Sequence, residues 1–135
     1  MSSILGEGRK YLRAWGTYEK RRESIERHID ELTQLQTRRP EEKDVFEREI
    51  DRHRQYLASI AEMSELVQGS LLRGFTDREI ELLKRRYIQG QTWAQIGRWL
   101  SIDESYARRI ERRVAYQISA IINGALDDGD GPAPR

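Results

Sequence analysis

Several residue and segment types are scarce in this chain, and their scarcity narrows what it can be. It contains no cysteine, which excludes a disulfide framework and a thiolate metal site. No apolar run approaches the length of a signal-peptide core or a membrane span, so we expect a cytoplasmic protein that does not associate with membranes. Only three prolines and almost no runs of β-branched residues occur, which favours an all-α fold.

Charged residues are plentiful instead. They make up 35% of the 135 residues, and the mean hydropathy is −0.83. Such a composition is too polar for a thick globular core and suits long exposed helices. The net charge is only +1, but the segment 75–126 holds nine Lys/Arg against six Asp/Glu. This small basic excess gives weak support to nucleic-acid binding by that segment, because a solvated charged face would look much the same.

Two capping boxes mark the first two helices of this segment. Thr76 is followed three residues later by Glu79, and Thr92 by Gln95, so each pair can satisfy free N–H groups at a helix start. The first helix is predicted from residue 77 to about residue 89, with Gly90 after its last turn. The second helix is short and ends at a tight turn around residues 101–102.

A third helix is predicted from about residue 103 to residue 121, with Asp103 as its N-cap. One face carries an apolar stripe at three-four spacing, formed by Ala107, Ile110, Val114, Ile118 and Ile121. The other face is basic, with Arg108, Arg109, Arg112 and Arg113, and the first turn adds Glu104 and Ser105. A helix with polar residues in its first turn and arginines one turn later is typical of a recognition helix in the major groove of DNA.

The stretch FTDREIELLKRRYIQGQTWAQIGRWLSIDESYARRIERRV resembles region four of bacterial sigma factors, which reads the promoter −35 element. The resemblance implies a helix-turn-helix domain over residues 75–122. It implies that four residues face bases, namely Glu104, Ser105, Arg108 and Arg109, and that Arg78, Arg86 and Thr92 face the phosphate backbone. Arg112 and Arg113, the flanking arginines of the third helix, are also assigned to the backbone. Glu104 stands where the family is usually basic or polar, so no promoter preference is implied.

The N-terminal half shows heptad-like spacing typical of paired helices. One apolar seam is formed by Tyr11, Trp15, Tyr18, Ile25, Ile29 and Leu32, and a second by Phe46, Ile50, His53, Leu57, Ile60 and Val67. The short connection around Pro40 favours a long, coiled-coil-like antiparallel hairpin over residues 9–68, with helices at about 9–37 and 41–68. We expect a frayed N-terminus at 1–8, a linker at 69–74 and a disordered tail at 123–135.

The narrow seams leave apolar area uncovered, and two arrangements remain open. In one, a homodimer covers it and presents two recognition helices to an inverted repeat in the DNA. In the other, a monomer folds its hairpin back onto the helix-turn-helix.

The organisation resembles that of small phage-encoded regulators of late genes, of the RinA and ArpU type. It implies a sequence-specific transcription regulator in the cytoplasm of a bacterial host, whose partner is double-stranded DNA and whose hairpin serves oligomerisation or contact with RNA polymerase. Two alternatives remain: a DNA-recognition subunit of a phage packaging machine, resembling a small terminase, and an adaptor or inhibitor that occupies RNA polymerase without binding DNA.

Catalytic chemistry has little support in the sequence. We find no phosphate-cradling glycine loop, no nucleophile with a nearby base and no cluster of metal ligands. We therefore expect a protein that is not an enzyme, with no catalytic residues, metal or cofactor.

Overall fold

The computed structural model describes the backbone of residues 3–130 and the side chains of residues 3–125. These residues form five α-helices and one 3-10 turn, and no strand occurs among them. The expected all-α fold is therefore confirmed for the described part. The helices are α1 (Ile4–Arg38), α2 (Lys43–Gly74), α3 (Asp77–Tyr87), α4 (Trp93–Leu100) and α5 (Glu104–Asp130), and the 3-10 turn, Pro40–Glu42, connects α1 to α2.

The two long helices run antiparallel. Arg21 Nη1 donates a hydrogen bond to the Tyr56 hydroxyl at 3.1 Å, and Gln36 Nε2 donates to the Lys43 carbonyl at 3.2 Å. The paired positions converge in sequence toward the connecting turn, as an antiparallel pair requires. Near that turn a small apolar cluster of Ile29, Leu32 and Ile50 holds the helices together.

Two histidines meet in the middle of this helix pair. The rings of His28 and His53 make an edge-to-face contact with their centroids 4.9 Å apart. Sequence spacing alone left them isolated on separate helices, because the register between α1 and α2 was not specified. No group of three or more metal-ligating residues occurs among the described side chains.

The main core unites both halves of the chain. It contains residues from all five helices, so α1 and α2 pack on α3, α4 and α5 within one copy. Its fully buried large side chains include Trp15, Leu12, Leu71, Leu82, Leu83, Ile96, Ile118 and Ile122. The Trp15 indole N–H, at the centre of this junction, donates to Gln68 Oε1 at 3.0 Å.

Close approach of α1 to the C-terminal helices depends on two glycines. A Cβ atom on Gly8 would lie 1.8 Å from the carbonyl oxygen of Ala115 in α5, and one on Gly16 would lie 2.2 Å from that of Tyr87 at the end of α3. Real Cβ atoms do not approach backbone oxygens so closely, so only glycine allows the α1 backbone to rest on both helices.

Two segments that flank the long helix pair, the predicted frayed N-terminus and the predicted linker, are helical instead. Ser3 caps α1 by accepting a hydrogen bond from the Gly6 N–H at 2.9 Å, so α1 includes most of the segment 1–8 that was predicted to fray. Residues 1 and 2 lie outside the described part. The predicted linker 69–74 forms the last turns of α2, because Leu71 is anchored in the core and outweighs the poor helix propensity of the flanking glycines.

At the other end of the chain, α5 continues through residues 123–130 of the predicted tail, and residues 131–135 lie outside the described part. The apolar stripe of α5 also differs from its prediction at its C-terminal end. Ile122 is buried, whereas Ile121 is 40% exposed. The helical period carries the face of Ile118 to position 122, four residues on.

Local signals placed the shorter helices well. Both capping boxes are present, with Thr76 Oγ1 accepting from the Glu79 N–H and Thr92 Oγ1 accepting from the Gln95 N–H, each at 3.2 Å. Helix α3 ends two residues before the predicted position, and Gly90 then adopts a left-handed conformation with φ of 67°. None of the helices in the described part is long and apolar enough to cross a bilayer.

The glycine contacts predict the effect of a single methyl group. We expect Gly8→Ala to lower the free energy of unfolding by about 3 kcal/mol, since α1 and α5 must separate to admit it. Gly16→Ala should act in the same direction through α3. Thermal and urea denaturation followed by circular dichroism would measure both changes.

Gly69→Ala is the matched control, because its Cβ would meet only the Arg73 side chain, at 3.6 Å or more. This variant should gain up to about 1 kcal/mol from helix propensity. A Gly8→Ala variant as stable as the Gly69→Ala variant would contradict the close packing of α1 on α5.

Candidate nucleic-acid interface

Helix α5 has one face in the core and one face exposed. Ala107, Val114 and Ile118 are fully buried. On the opposite side, Ser105, Arg109, Arg112 and Tyr116 are all exposed, and at about 100° per residue they project within a narrow sector of the helix. The exposed sector thus combines two arginines, a hydroxyl and an aromatic ring on one rigid rod.

The turn between α4 and α5 fixes the direction of α5. Ser101 adopts a left-handed conformation with φ of 55°, and the Ile102 N–H donates to the Gly97 carbonyl at 2.9 Å. A Cβ on Gly97 would lie 2.8 Å from the Ile102 carbonyl oxygen, so the turn folds directly over the glycine. The start of α5 is therefore set close against α4.

A buried ion pair fixes the other side of α5. Glu111 is 2% exposed and receives two hydrogen bonds from Arg9 of α1, from Nε at 3.1 Å and from Nη2 at 2.8 Å. The Tyr87 hydroxyl of α3 donates to the same carboxylate at 2.7 Å. Because these partners come from two other helices, the network resists both rotation and sliding of α5.

The same network shifts two pKa values. The hydrogen bond to Glu111 raises the pKa of Arg9 despite the opposing effect of burial, so this arginine keeps its charge. Burial raises the pKa of Tyr87 well above its ordinary value of 10.0, and the hydrogen bond and charge of Glu111 raise it further. Arg9 and Arg13 oppose part of that rise by favouring the phenolate. Tyr87 is therefore a neutral donor to a charged carboxylate.

Sequence reasoning gave Glu111 and Arg9 no functional role. A signal was nevertheless present, because Glu111 falls on the same side of α5 as the apolar stripe. A carboxylate in that position needs a cationic partner. The partner itself could not be identified, since Arg9 is about a hundred residues away in sequence.

The four residues predicted to face bases divide into two pairs. Ser105 and Arg109 are exposed, and the Arg109 guanidinium lies 5.5 Å from the centre of the Tyr106 ring. Glu104 and Arg108 are also exposed but bind each other, with 2.8 Å between Arg108 Nη2 and Glu104 Oε1. All four lie in the first two turns of α5, so the structure brings them together.

The two flanking arginines of α5 differ in their partners. Arg112 has no carboxylate within ion-pair distance among the residues that the structure describes, whereas Arg113 is paired with Glu79 of α3. Burial of Glu79 acts to raise its pKa, but hydrogen bonds from the Thr76 N–H and from Arg113 outweigh it, and the pKa is lowered. Arg113 therefore links α5 to the start of α3.

The remaining predicted backbone contacts lie at helix ends. Arg78 Nη2 donates to the Leu100 carbonyl at 2.7 Å. Arg86 Nη1 donates to the Gln91 carbonyl at 3.0 Å and lies 4.5 Å from the Trp93 ring centre. Thr92 caps α4. These three side chains thus already support the local structure.

The described part is an all-α protein in which a pair of long helices packs on three shorter segments. The chain belongs to a family described as a protein of unknown function (DUF722), whose family model matches residues 10–120. The matched range runs from the first turns of α1 well into α5, so it includes the long helix pair together with α3 and α4. No curated protein and no solved structure was found to match the chain.

The raised pKa of Tyr87 predicts a loss of stability at alkaline pH. An unfolded tyrosine deprotonates near pH 10.0, but the folded protein holds the proton to higher pH. Unfolding therefore releases a proton above pH 10, and the free energy of unfolding should fall there by up to about 1.4 kcal/mol per pH unit.

Tyr87→Phe should be less stable at neutral pH, because Glu111 loses a donor, but should lose less further stability between pH 9 and pH 11. Urea denaturation at each pH measures both quantities. The exposed Tyr116→Phe is the control and should keep the alkaline decline of the parent chain. Equal declines in the parent and in Tyr87→Phe would show that Tyr87 does not hold its proton in this way.

Proposed function

We propose that this chain is a sequence-specific binder of double-stranded DNA that places α5 in the major groove. In this proposal α3, α4 and α5 form a helix-turn-helix unit, and α1 with α2 forms the hairpin that supports it. The observation that carries the proposal is the exposed sector of α5, where Arg109 and Arg112 lie beside Ser105 without carboxylate partners among the described side chains. Arginine is the residue that most often reads guanine in the major groove.

The rigidity of α5 supports the proposal. A recognition helix must hold its side chains in register with the base pairs, and a helix that moved relative to the rest of the fold would discriminate less well between bases. The Glu111 network and the Gly97 turn mount α5 on three neighbouring helices. Arg109 and Arg112 therefore project from a helix whose position and orientation are fixed.

The ion pairs of α5 assign different roles to its four arginines. Arg109 is ready to contact a base, and Arg112 a base or a phosphate. Arg108 must first leave Glu104, an exchange of small energy because the pair is exposed. After the exchange Glu104 could accept from cytosine while Arg108 donates to the paired guanine. Arg113, held by Glu79, serves the backbone next to the start of α3.

We further propose that DNA binding serves the regulation of transcription in a bacterial or phage setting. Support comes from the resemblance of residues 75–114 to sigma region four. The hairpin would then contact RNA polymerase or a second copy of the chain. Its end near the 3-10 turn lies beyond the shared core and leaves surface for such a partner.

Selection of bound duplexes from a random pool tests DNA recognition directly. The parent chain should recover a defined motif, and Arg109→Ala should weaken binding to it by about 1–3 kcal/mol, mainly at one position of the motif. Arg112→Ala should weaken binding in the same assay. Arg54→Ala, an exposed substitution on α2, is the matched control and should bind as the parent does.

The DNA proposal would be abandoned if no motif emerged and Arg109→Ala bound duplex DNA as well as Arg54→Ala. An adaptor acting on RNA polymerase would then be the better hypothesis. Solution mass separates the remaining alternative, because a packaging subunit would form a ring of many copies, whereas a regulator would be a monomer or a dimer.

A further inference from the structure

A cleft of about 540 Å³ lies where α1 passes the junction between α3 and α4. Its lining includes Arg9 and Arg13 of α1, Arg86 of α3 and Trp93 of α4. Gly90 adds a stretch of wall that carries no side chain. The cleft lies outside the exposed sector of α5, and none of the roles described above requires it to be open.

The charges around the cleft are not balanced. Glu111, which also lines it, already accepts two hydrogen bonds from Arg9 and one from the Tyr87 hydroxyl. Arg86 is held by a backbone carbonyl and an aromatic ring, neither of which neutralises it. Arg13 is exposed, and no carboxylate within the described part lies at ion-pair distance from it. Two uncompensated positive charges therefore border one cavity.

The placement of Arg13 strengthens this point. It lies one helical turn after Arg9 on the same side of α1, and the one carboxylate that lines the cleft, that of Glu111, is already bound by Arg9. An anion in the cleft would compensate Arg13 and Arg86, since a group with several oxygens accepts hydrogen bonds from more than one guanidinium.

The position of the cleft indicates where such an anion comes from. Trp93 is the first residue of α4, and Thr92, the N-cap of that helix, is one of the predicted contacts to the DNA backbone. The cleft is therefore continuous with the surface that would face phosphates if α5 occupies the major groove. It extends that surface from α4 to α1.

We propose that this cleft binds a phosphate group of the DNA backbone, held between Arg13 of α1 and Arg86 of α3 beside the Trp93 ring. The inference rests on the proposed DNA binding and deepens it. It makes the long N-terminal helix a direct part of the DNA-binding surface. Arg13 adds affinity without sequence preference, because phosphates are the same at every base pair.

Salt dependence of DNA binding is the first test, performed with the full chain and the selected duplex. Removal of one phosphate contact lowers the slope of log K against log salt by about 0.9 and reduces affinity roughly fivefold near 0.15 M salt. We expect Arg13→Ala to show both changes equally on specific and unrelated duplexes. Arg13→Lys should retain most of the slope, because it keeps the charge.

Arg22→Ala is the matched control on the same helix, since Arg22 is exposed and does not line the cleft. It should leave both the slope and the affinity unchanged. Equal slopes for the parent, Arg13→Ala and Arg22→Ala would overturn the proposal while leaving DNA binding by α5 intact.

Titration with inorganic pyrophosphate in the absence of DNA, at constant ionic strength, is the second test. The NMR signal of the Trp93 indole N–H should shift in the parent chain and stay in place in Arg13→Ala. If the parent failed to bind DNA yet gave this shift, the assignment of the bound phosphate to the DNA backbone would be wrong, and the anion would be a free phosphorylated molecule. If the Trp93 signal did not shift and Arg13→Ala left the salt dependence unchanged, the cleft would be refuted as a phosphate site.

Discussion

The buried carboxylate of Glu111 is the interaction on which the rest of this structure depends. It lies on the inner side of α5 and is balanced by Arg9 from the start of the chain and by the Tyr87 hydroxyl from the end of α3. A carboxylate left alone in this position would carry a large desolvation penalty, so α5 can be buried here only when α1 is docked. One electrostatic requirement thus joins the two ends of the sequence and makes the long helices part of the same folding unit as the short ones.

The arginines of α5 show why charge on a helix is a poor guide to binding until partners are known. Four arginines occur within six positions, and the sequence alone gives them equal standing. In the folded chain Arg108 is paired within the helix and Arg113 with α3, whereas Arg109 and Arg112 have no carboxylate partner among the described side chains. Arg9 and Arg13, one turn apart on α1, differ in the same way. Arg9 is paired with Glu111, whereas Arg13 has no carboxylate at ion-pair distance in the described part.

What could be predicted from the sequence was governed by contacts of short range. The capping boxes at Thr76 and Thr92 and the glycine that follows the first of the short helices involve residues a few positions apart, and each is found where expected. Errors arose where a distant segment decides the outcome. The segment 1–8 was expected to fray, but Gly8 packs on the Ala115 backbone, which is far away in sequence. The segment 69–74 was expected to be a linker, but burial of Leu71 in the core keeps it helical. The same distinction applies to the candidate site. The spacing of residues in α5 predicted its exposed side, but no local pattern could predict the cleft, because it forms between α1 and helices that are distant in sequence.

The continuity of α1 has a mechanical consequence. Its 35 residues form an unbroken rod roughly 50 Å long, of which only the first half is clamped to the C-terminal helices. The glycine contacts hold that half backbone to backbone, so the rod has little freedom to pivot at its base. A force applied to the far end of α1, near the 3-10 turn, would therefore be transmitted along the rigid helix to its clamped half. Arg9 lies in that half, so the force would be felt at the Glu111 network that holds α5.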